Sequence, residues 1–280
     1  MRNLRQPQRN DLNYRLGGLR WMRASNKPEI ARIILTDFGK SADLSDAHVI
    51  DATPSAGIAP SIAVSYLIER FKPAKIAEIR SQYFPHVSLV SGGIASRPKI
   101  ELYMHEDERA KLILISRNFT VDDSESGYLI ADMLHSFLAG RKALNYYLLT
   151  GARLTGERGV YIASANLDDL KLFLKSGAKL LRSLEEIPAD KLSTYLMHLY
   201  SRRTGRAWLL VAEVVPYFPD PAAARDLLEV LSKALGFEVD LKKLEEEIEK
   251  QRALVNEFRR DYERMVQERI KGDRRPLYIG

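Results

Sequence analysis

Apolar positions along this chain fall into two patterns that take turns: short continuous runs and stripes at helical spacing. The clearest unit is Ala207–Gly236. Trp208 to Val215 is apolar apart from Glu213, the pattern of a strand covered on both faces. Pro216 and Pro219 end it, since neither has an N–H to give a sheet ladder. Asp220 can cap a helix and Pro221 suits its first position. Leu227, Leu228, Leu231, Ala234 and Leu235 recur at helical spacing, and Gly236 is a natural stop.

The same alternation extends upstream. Ile30–Phe38 and Ala47–Asp51 read as apolar segments of a sheet, joined by a polar turn over Gly39–Asp46. A strand ends at Thr53-Pro54, Gly57 turns the chain, and Pro60 opens a helix burying Ile62, Ala63, Tyr66, Leu67 and Phe71. Lys75–Arg80, Val87–Val90, Lys99–His105, Lys111–Ser116, Leu144–Thr150 and Val160–Ser164 read as further strands. Asp122 with Glu125 forms a capping-box pattern for a helix through Leu138, closed by Gly140. Asn166 caps a helix from Leu167 to about Lys175 that Gly177 breaks, and Pro188–Arg203 is helical with Leu192, Leu196, Leu199 and Tyr200 in register. Strands and helices at this spacing predict an α/β fold: a mostly parallel sheet with helices on both faces.

The flanks differ from this body, which spans 27–239. Residues 1–26 show no period and read as a basic flexible arm. At 240–271 the heptad positions Leu241, Leu244, Ile248, Val255, Phe258, Tyr262 and Met265 form a narrow stripe on a long C-terminal helix, with Gln251 and Arg269 as polar exceptions. The stripe packs either on the chain's own body or on another copy, as an oligomer seam. Residues 272–280 are a tail too short for a core of its own. Its Leu277-Tyr278-Ile279 followed by Gly280 is either a docking peptide or a frayed end.

Composition narrows the chemistry. With 280 residues and 45% apolar content the chain can bury a full core. It contains no cysteine, which removes thiolate catalysis and Cys-type zinc sites and fits a reducing, cytoplasmic setting. No apolar window reaches membrane-spanning length, and the first residues lack the apolar core of a signal peptide. Abundant Lys, Arg and Glu with scarce Asn and Gln lean toward a thermophile. The net charge of +6 is concentrated in Met1–Arg23, where six arginines face one acid, so it reads as a solvated arm more than as a nucleic-acid reader.

Catalytic and metal-binding patterns are sparse. His48, His86, His105, His135 and His198 are dispersed at spacings that suit no metal, and no G-x-S-x-G elbow occurs. Glu213 and Asp51 are apolar-strand carboxylates near strand ends, where α/β folds bind ligands, although a buried structural role suits both. Gly57 sits in a strand-to-helix turn that either cradles an anion or simply turns tightly. Gly57 and Glu213 together are the candidate ligand pocket. Arg202, Arg203 and Arg206 surround a helix end and could hold an anion or lie solvated.

Particular stretches carry a family resemblance. AEVVPYFPDPAAARDLLEVLSKALGFEVDLKKLEEE at Ala212–Glu247 resembles the archaeal relatives of eukaryotic proteasome assembly chaperone two. Pro54–Ile68, SLVSGGI at Ser88–Ile94 and Lys99–Ser116 support it, over roughly residues 45–260. The resemblance implies a Rossmann-like domain similar to nucleoside phosphorylases. It implies no catalysis, but binding to proteasome α subunits or the α ring as a homo-oligomer built through C-terminal helices; no cofactor or metal is expected. It also implies tail docking by a hydrophobic–Tyr–any tripeptide. Leu277-Tyr278-Ile279 supplies that tripeptide, but Gly280 leaves Tyr278 third from the end. A second glycine common in the family is Pro60 here. The competing reading is a nucleoside- or nucleotide-binding enzyme, phosphorylase-like or a ligase, on the same fold.

Overall fold

A computed structural model describes residues 31–154, 157–182, 186–204 and 206–250. The basic arm, the later heptad positions and the tail lie outside these residues. The chain forms β1 (Ala31–Leu35), α1 (Asp37–Ser41), β2 (His48–Ala52), α2 (Ala59–Phe71), β3 (Ala74–Ser81), β4 (Leu89–Ser91), β5 (Ile94–Ser96), β6 (Ile100–Glu106) and β7 (Lys111–Ser116). It continues as α3 (Ser124–Ala139), β8 (Asn145–Ala152), β9 (Val160–Ser164), α4 (Leu170–Lys175), β10 (Lys179–Leu180), α5 (Lys191–Arg203), β11 (Ala207–Glu213) and α6 (Pro221–Leu235).

Nine of these strands form one sheet in the order β1-β3-β6-β7-β2-β8-β11-β9-β10. Its centre, β7-β2-β8-β11, is parallel. Antiparallel pairings flank that centre, joining β1 to β3 to β6 to β7 on one side and β11 to β9 on the other. The β6–β7 connection, Asp107–Ala110, is too short for a crossover helix, so those strands must run antiparallel.

Alternation along the central strands feeds two cores. Ile50, Leu112, Leu114, Tyr147, Leu149 and Leu210 pack beneath α2, α4 and α6. Val49, Ile113, Ile115, Tyr146 and Leu148 pack beneath α3 and α5. Helices on both faces of a parallel centre are the predicted α/β arrangement.

Local signals mostly act where the sequence places them. The Asp220 side chain accepts from Ala223 N at 2.9 Å and so caps α6, Pro221 opens the helix, and Gly236 closes it at φ 82°. Gly140 closes α3 and the Asn166 side chain accepts from Asp168 N.

Four boundaries differ from expectation. Ile30–Phe38 is not one apolar segment: the strand stops at Leu35 and α1 begins at Asp37, capped by the Thr36 hydroxyl, which accepts from Gly39 N. The α3 cap is Asp123 rather than Asp122, whose carboxylate instead accepts from Thr120 Oγ1. Residues 89–96 form a separate two-stranded hairpin turning at Gly92-Gly93, both at positive φ, instead of adding a strand to the main sheet. Finally, β11 ends at Glu213, and Val215 is exposed.

His135, on α3, is buried under the α3–α5 pair and meets the Tyr200 ring edge-on at 4.9 Å. Its Nδ1 lies 3.3 Å from Arg203 NH1, which also pairs with Asp132 at 2.9 Å. Burial, then the Arg203 charge, push the imidazole below its ordinary 6.5, with Asp132 opposing them. Neutral His135 therefore stabilises the fold above about pH 6.5, and that contribution is lost as the pH falls through the depressed folded value. The melting temperature is expected to drop between pH 7 and 5, and to drop less in His135→Gln, by scanning calorimetry. Equal slopes in the two proteins would show that His135 does not contribute. His48, also depressed mainly by burial, accounts for a residual slope in the variant.

Candidate functional site

Because β2, β8 and β11 run parallel and adjacent, their carboxyl ends share one edge of the sheet, the usual ligand-facing edge of an α/β fold. Here the loops leaving that edge are bonded to one another. Ser55 Oγ accepts from Gly151 N at 2.8 Å, and a Cβ at Gly151 would lie 2.4 Å from Ala56 O, so only glycine allows this approach. Gly57, at φ 67°, has Val214 and Asp220 against it and accepts from Asp220 N at 2.8 Å. Besides capping α6, the Asp220 carboxylate accepts from Val215 N at 3.1 Å and pairs with Arg158, which also holds Asp226 at 2.8 Å.

The predicted pocket residues, Gly57 in a loop and Glu213 at the end of β11, thus share one edge of the sheet, but the space beside them is occupied. The Glu213 carboxylate accepts from Leu154 N at 3.0 Å, and Glu213 N donates to Gly159 O at 3.0 Å. The structural role weighed for this glutamate is the one its geometry serves: it fastens the segment after β8.

Asp51, at the end of β2, belongs to a buried ionic cluster. Arg117 NH2 lies 2.9 Å from Asp190 Oδ1 and also donates to Ser193 Oγ, while its NH1 is 3.7 Å from Asp51 Oδ1. Asp51 Oδ2 accepts from the Tyr146 hydroxyl at 2.6 Å and from Ser193 Oγ at 2.8 Å. Asp190 caps α5 through Ser193 N at 3.1 Å and accepts from Val121 N at 2.9 Å. Burial, joined by the Asp51 charge, pushes the Tyr146 phenol well up, so it stays a donor. Burial works against the Arg117 charge, but Asp51 and Asp190 outweigh it and keep the guanidinium protonated. All three charged groups are sealed from solvent, which suits fastening strand ends to α5 better than turning over a substrate.

What the edge does present is apolar. Tyr217 is 93% exposed, Phe218 68%, Val215 60% and Ile58 46%. Tyr217 sits at φ 75° and Ile58 at φ 42°, a region that large side chains seldom adopt. Strained backbone held by the Asp220 and Gly57 bonds thus projects apolar side chains outward. Sequence reading passed over this pair of aromatics, although an aromatic pair between Pro216 and Pro219 is a signal for a rigid, displayed loop.

The other candidates separate. Leu244 and Ile248 are buried in the α2–α6 core of the same chain, with Leu241 packed against it. Val255, Phe258, Tyr262, Met265 and Leu277–Gly280 lie outside the described residues. Arg203 is engaged with Asp132, Arg206 donates to Asn145 Oδ1, and Arg202 is exposed. Among the described residues no group of three His, Asp or Glu side chains could hold a metal, and no helix is long and apolar enough to cross a membrane.

Comparison with solved structures gives close shape matches at low identity. Pyrococcus furiosus PbaB, an archaeal proteasome activator, matches with a TM-score of 0.73 at 22% identity, over 83% of this chain and 100% of that one. Pyrococcus furiosus PbaA, an archaeal homologue of proteasome-assembly chaperone, matches at 0.67 and 21% identity, over 88% and 97%. A Mycobacterium tuberculosis proteasome-assembly chaperone homologue matches at 0.58 and 20%, over 75% and 94%. No curated protein matches the sequence significantly. Residues 49–259 match the sequence model of the PAC2 family, covering both helical layers and the parallel centre of the sheet, and the chain therefore belongs to the PAC2 family.

Proposed function

We propose that this protein is a non-catalytic proteasome assembly chaperone or adaptor that binds α subunits or the α ring as a homo-oligomer. Family membership supports the class. The observation that carries the mode of action is the strand-end edge, where bonded loops display Tyr217 and Phe218. A rigid aromatic pair surrounded by polar anchoring suits a protein contact, because such side chains give large buried area with little ordering cost. The tail Leu277-Tyr278-Ile279-Gly280 is the second proposed contact, and the heptad positions from Val255 onward the proposed seam between copies.

Native mass of the purified chain with proteasome α subunits tests this. We expect a complex whose Kd rises at least about tenfold in the double variant Tyr217→Ser/Phe218→Ser, the loss of at least ~1.4 kcal/mol of binding. Because both side chains are exposed, the melting temperature should be almost unchanged. Removal of Pro276–Gly280 measures the tail separately. Wild-type affinity in both variants would move the contact elsewhere, and no complex under any salt condition would overturn the chaperone reading.

A further inference from the structure

At the opposite end of the sheet, β3 sends Ala77 and Ile79 and β6 sends Ile100 and Leu102 into the α3–α5 core, with Ile33 of β1 packed against it. Their alternate positions carry charge on the other face. Glu78 and Glu101 are register partners there, and Lys75 joins them at 2.8 and 2.7 Å. Lys99 lies 3.4 Å from Glu78 and 2.9 Å from Glu101, and Arg80 also pairs with Glu78. Burial opposes ionisation of Glu78, yet Lys75 and Arg80 hold its carboxyl at about 2, so it is charged throughout the physiological range.

Two more cations make the balance lopsided. Arg32 on β1 stands directly opposite Arg80 in the antiparallel register, a like-charge pairing that destabilises a ladder on its own. Arg97 follows β5. Neither Arg32 nor Arg97 has a carboxylate partner among the described residues. Among the described residues this region therefore sets five cations against two carboxylates, a formal excess of three positive charges. Four of the five, Arg32, Arg80, Arg97 and Lys99, line a half-open cavity of about 560 Å³ with Ser81, Ser96, Gln82 and Pro98.

The walls select among anions. Among the described residues they offer guanidinium forks and hydroxyls, and no aromatic side chain on which a base could stack. The concavity suits a compact ligand better than an extended polymer backbone. We propose that this pocket binds a compact polyvalent oxyanion of the phosphate class, such as an oligophosphate or the oligophosphate group of a small ester. The bound anion would lie between Arg32, Arg80 and Arg97 and relieve the opposed arginines. The site is remote from the displayed aromatic loop and independent of the chaperone reading.

Isothermal titration of the full chain with inorganic tripolyphosphate tests it, in wild type, in Arg32→Gln/Arg97→Gln, and in Lys175→Gln/Lys242→Gln. The last variant removes the same charge from exposed positions elsewhere. Wild type should bind one tripolyphosphate, with affinity at least about tenfold weaker in the pocket variant and changed less than about twofold in the control. Equal weakening in both variants would assign the binding to net charge and overturn the site. So would the absence of saturation at millimolar ligand. A short single-stranded DNA that displaces tripolyphosphate at lower concentration, with steep loss between about 50 and 200 mM salt, would overturn the small-anion assignment in favour of a polymer backbone.

Discussion

Replacing Arg117 with methionine is expected to cost about 3–5 kcal/mol of stability, because it strands two carboxylates in the interior. The Arg117 side chain has no solvent exposure, and Asp51 and Asp190 have next to none, so solvent cannot take over the missing charge without opening the fold. Asp190 would keep its bonds from Val121 N and Ser193 N, and Asp51 those from Tyr146 and Ser193. Those donors were sufficient only beside a full positive charge. Urea denaturation measures the loss directly, and a change below about 1 kcal/mol would show that the guanidinium is dispensable. Asp51→Asn in the Arg117→Met background should recover part of the loss, since it removes one of the stranded charges. The two substitutions touch one cluster and are expected to be strongly non-additive.

Gly39→Ala is expected to cost about 3 kcal/mol, at the upper end for overpacking. Alanine is the better helix former, so local propensity alone would make the change favourable. The obstacle is the neighbouring strand: a Cβ at position 39 would lie 1.8 Å from the Ile76 carbonyl oxygen. That carbonyl is backbone and cannot rotate away. It also accepts from Thr36 N at 3.0 Å, while Thr36 Oγ1 donates to Lys75 O at 2.7 Å, so α1 can retreat only by breaking the bonds that dock it on β3. The denaturation midpoint should fall with little change in slope. An unchanged midpoint would mean that α1 shifts freely and contributes little to the fold.

Signals that act within a few residues were legible in the sequence. Pro216, Pro219, Asp220, Pro221 and Gly236 bounded a strand and a helix, and the apolar runs of β7 and β8 marked the buried centre of the sheet. Signals were misread where two local patterns competed. Ile30–Phe38 is apolar at six of nine positions, enough to hide the Thr36 cap inside it, and the capping-box spacing of Asp122 and Glu125 drew attention from Asp123 next door. The apolar texture of Val87–Val90 suggested a strand there, but strand pairing begins only at Leu89, and Val87 and Val90 are exposed. The candidate site was least legible. Gly57 and Glu213 were singled out correctly as strand-end residues, but what fills the space between them is set by Val214, Asp220 and Leu154. Arg117 and Asp190 drew no attention at all, because the contact joining them spans 73 residues and neither sits in a recognisable motif.

The position of β2 in the middle of the sheet has a consequence for how the chain is made. Its partners, β7 and β8, are synthesised long after it, and Ser193, which holds Asp51, lies 142 residues downstream. During synthesis, which runs N-terminal first, Val49 and Ile50 leave the ribosome with no neighbouring strand to cover them, and Asp51 stays hydrated until α5 arrives. Long-range pairing of this kind closes slowly. A protein proposed to assist the assembly of others therefore passes through its own interval with an unpaired apolar strand, the kind of surface on which nascent chains aggregate.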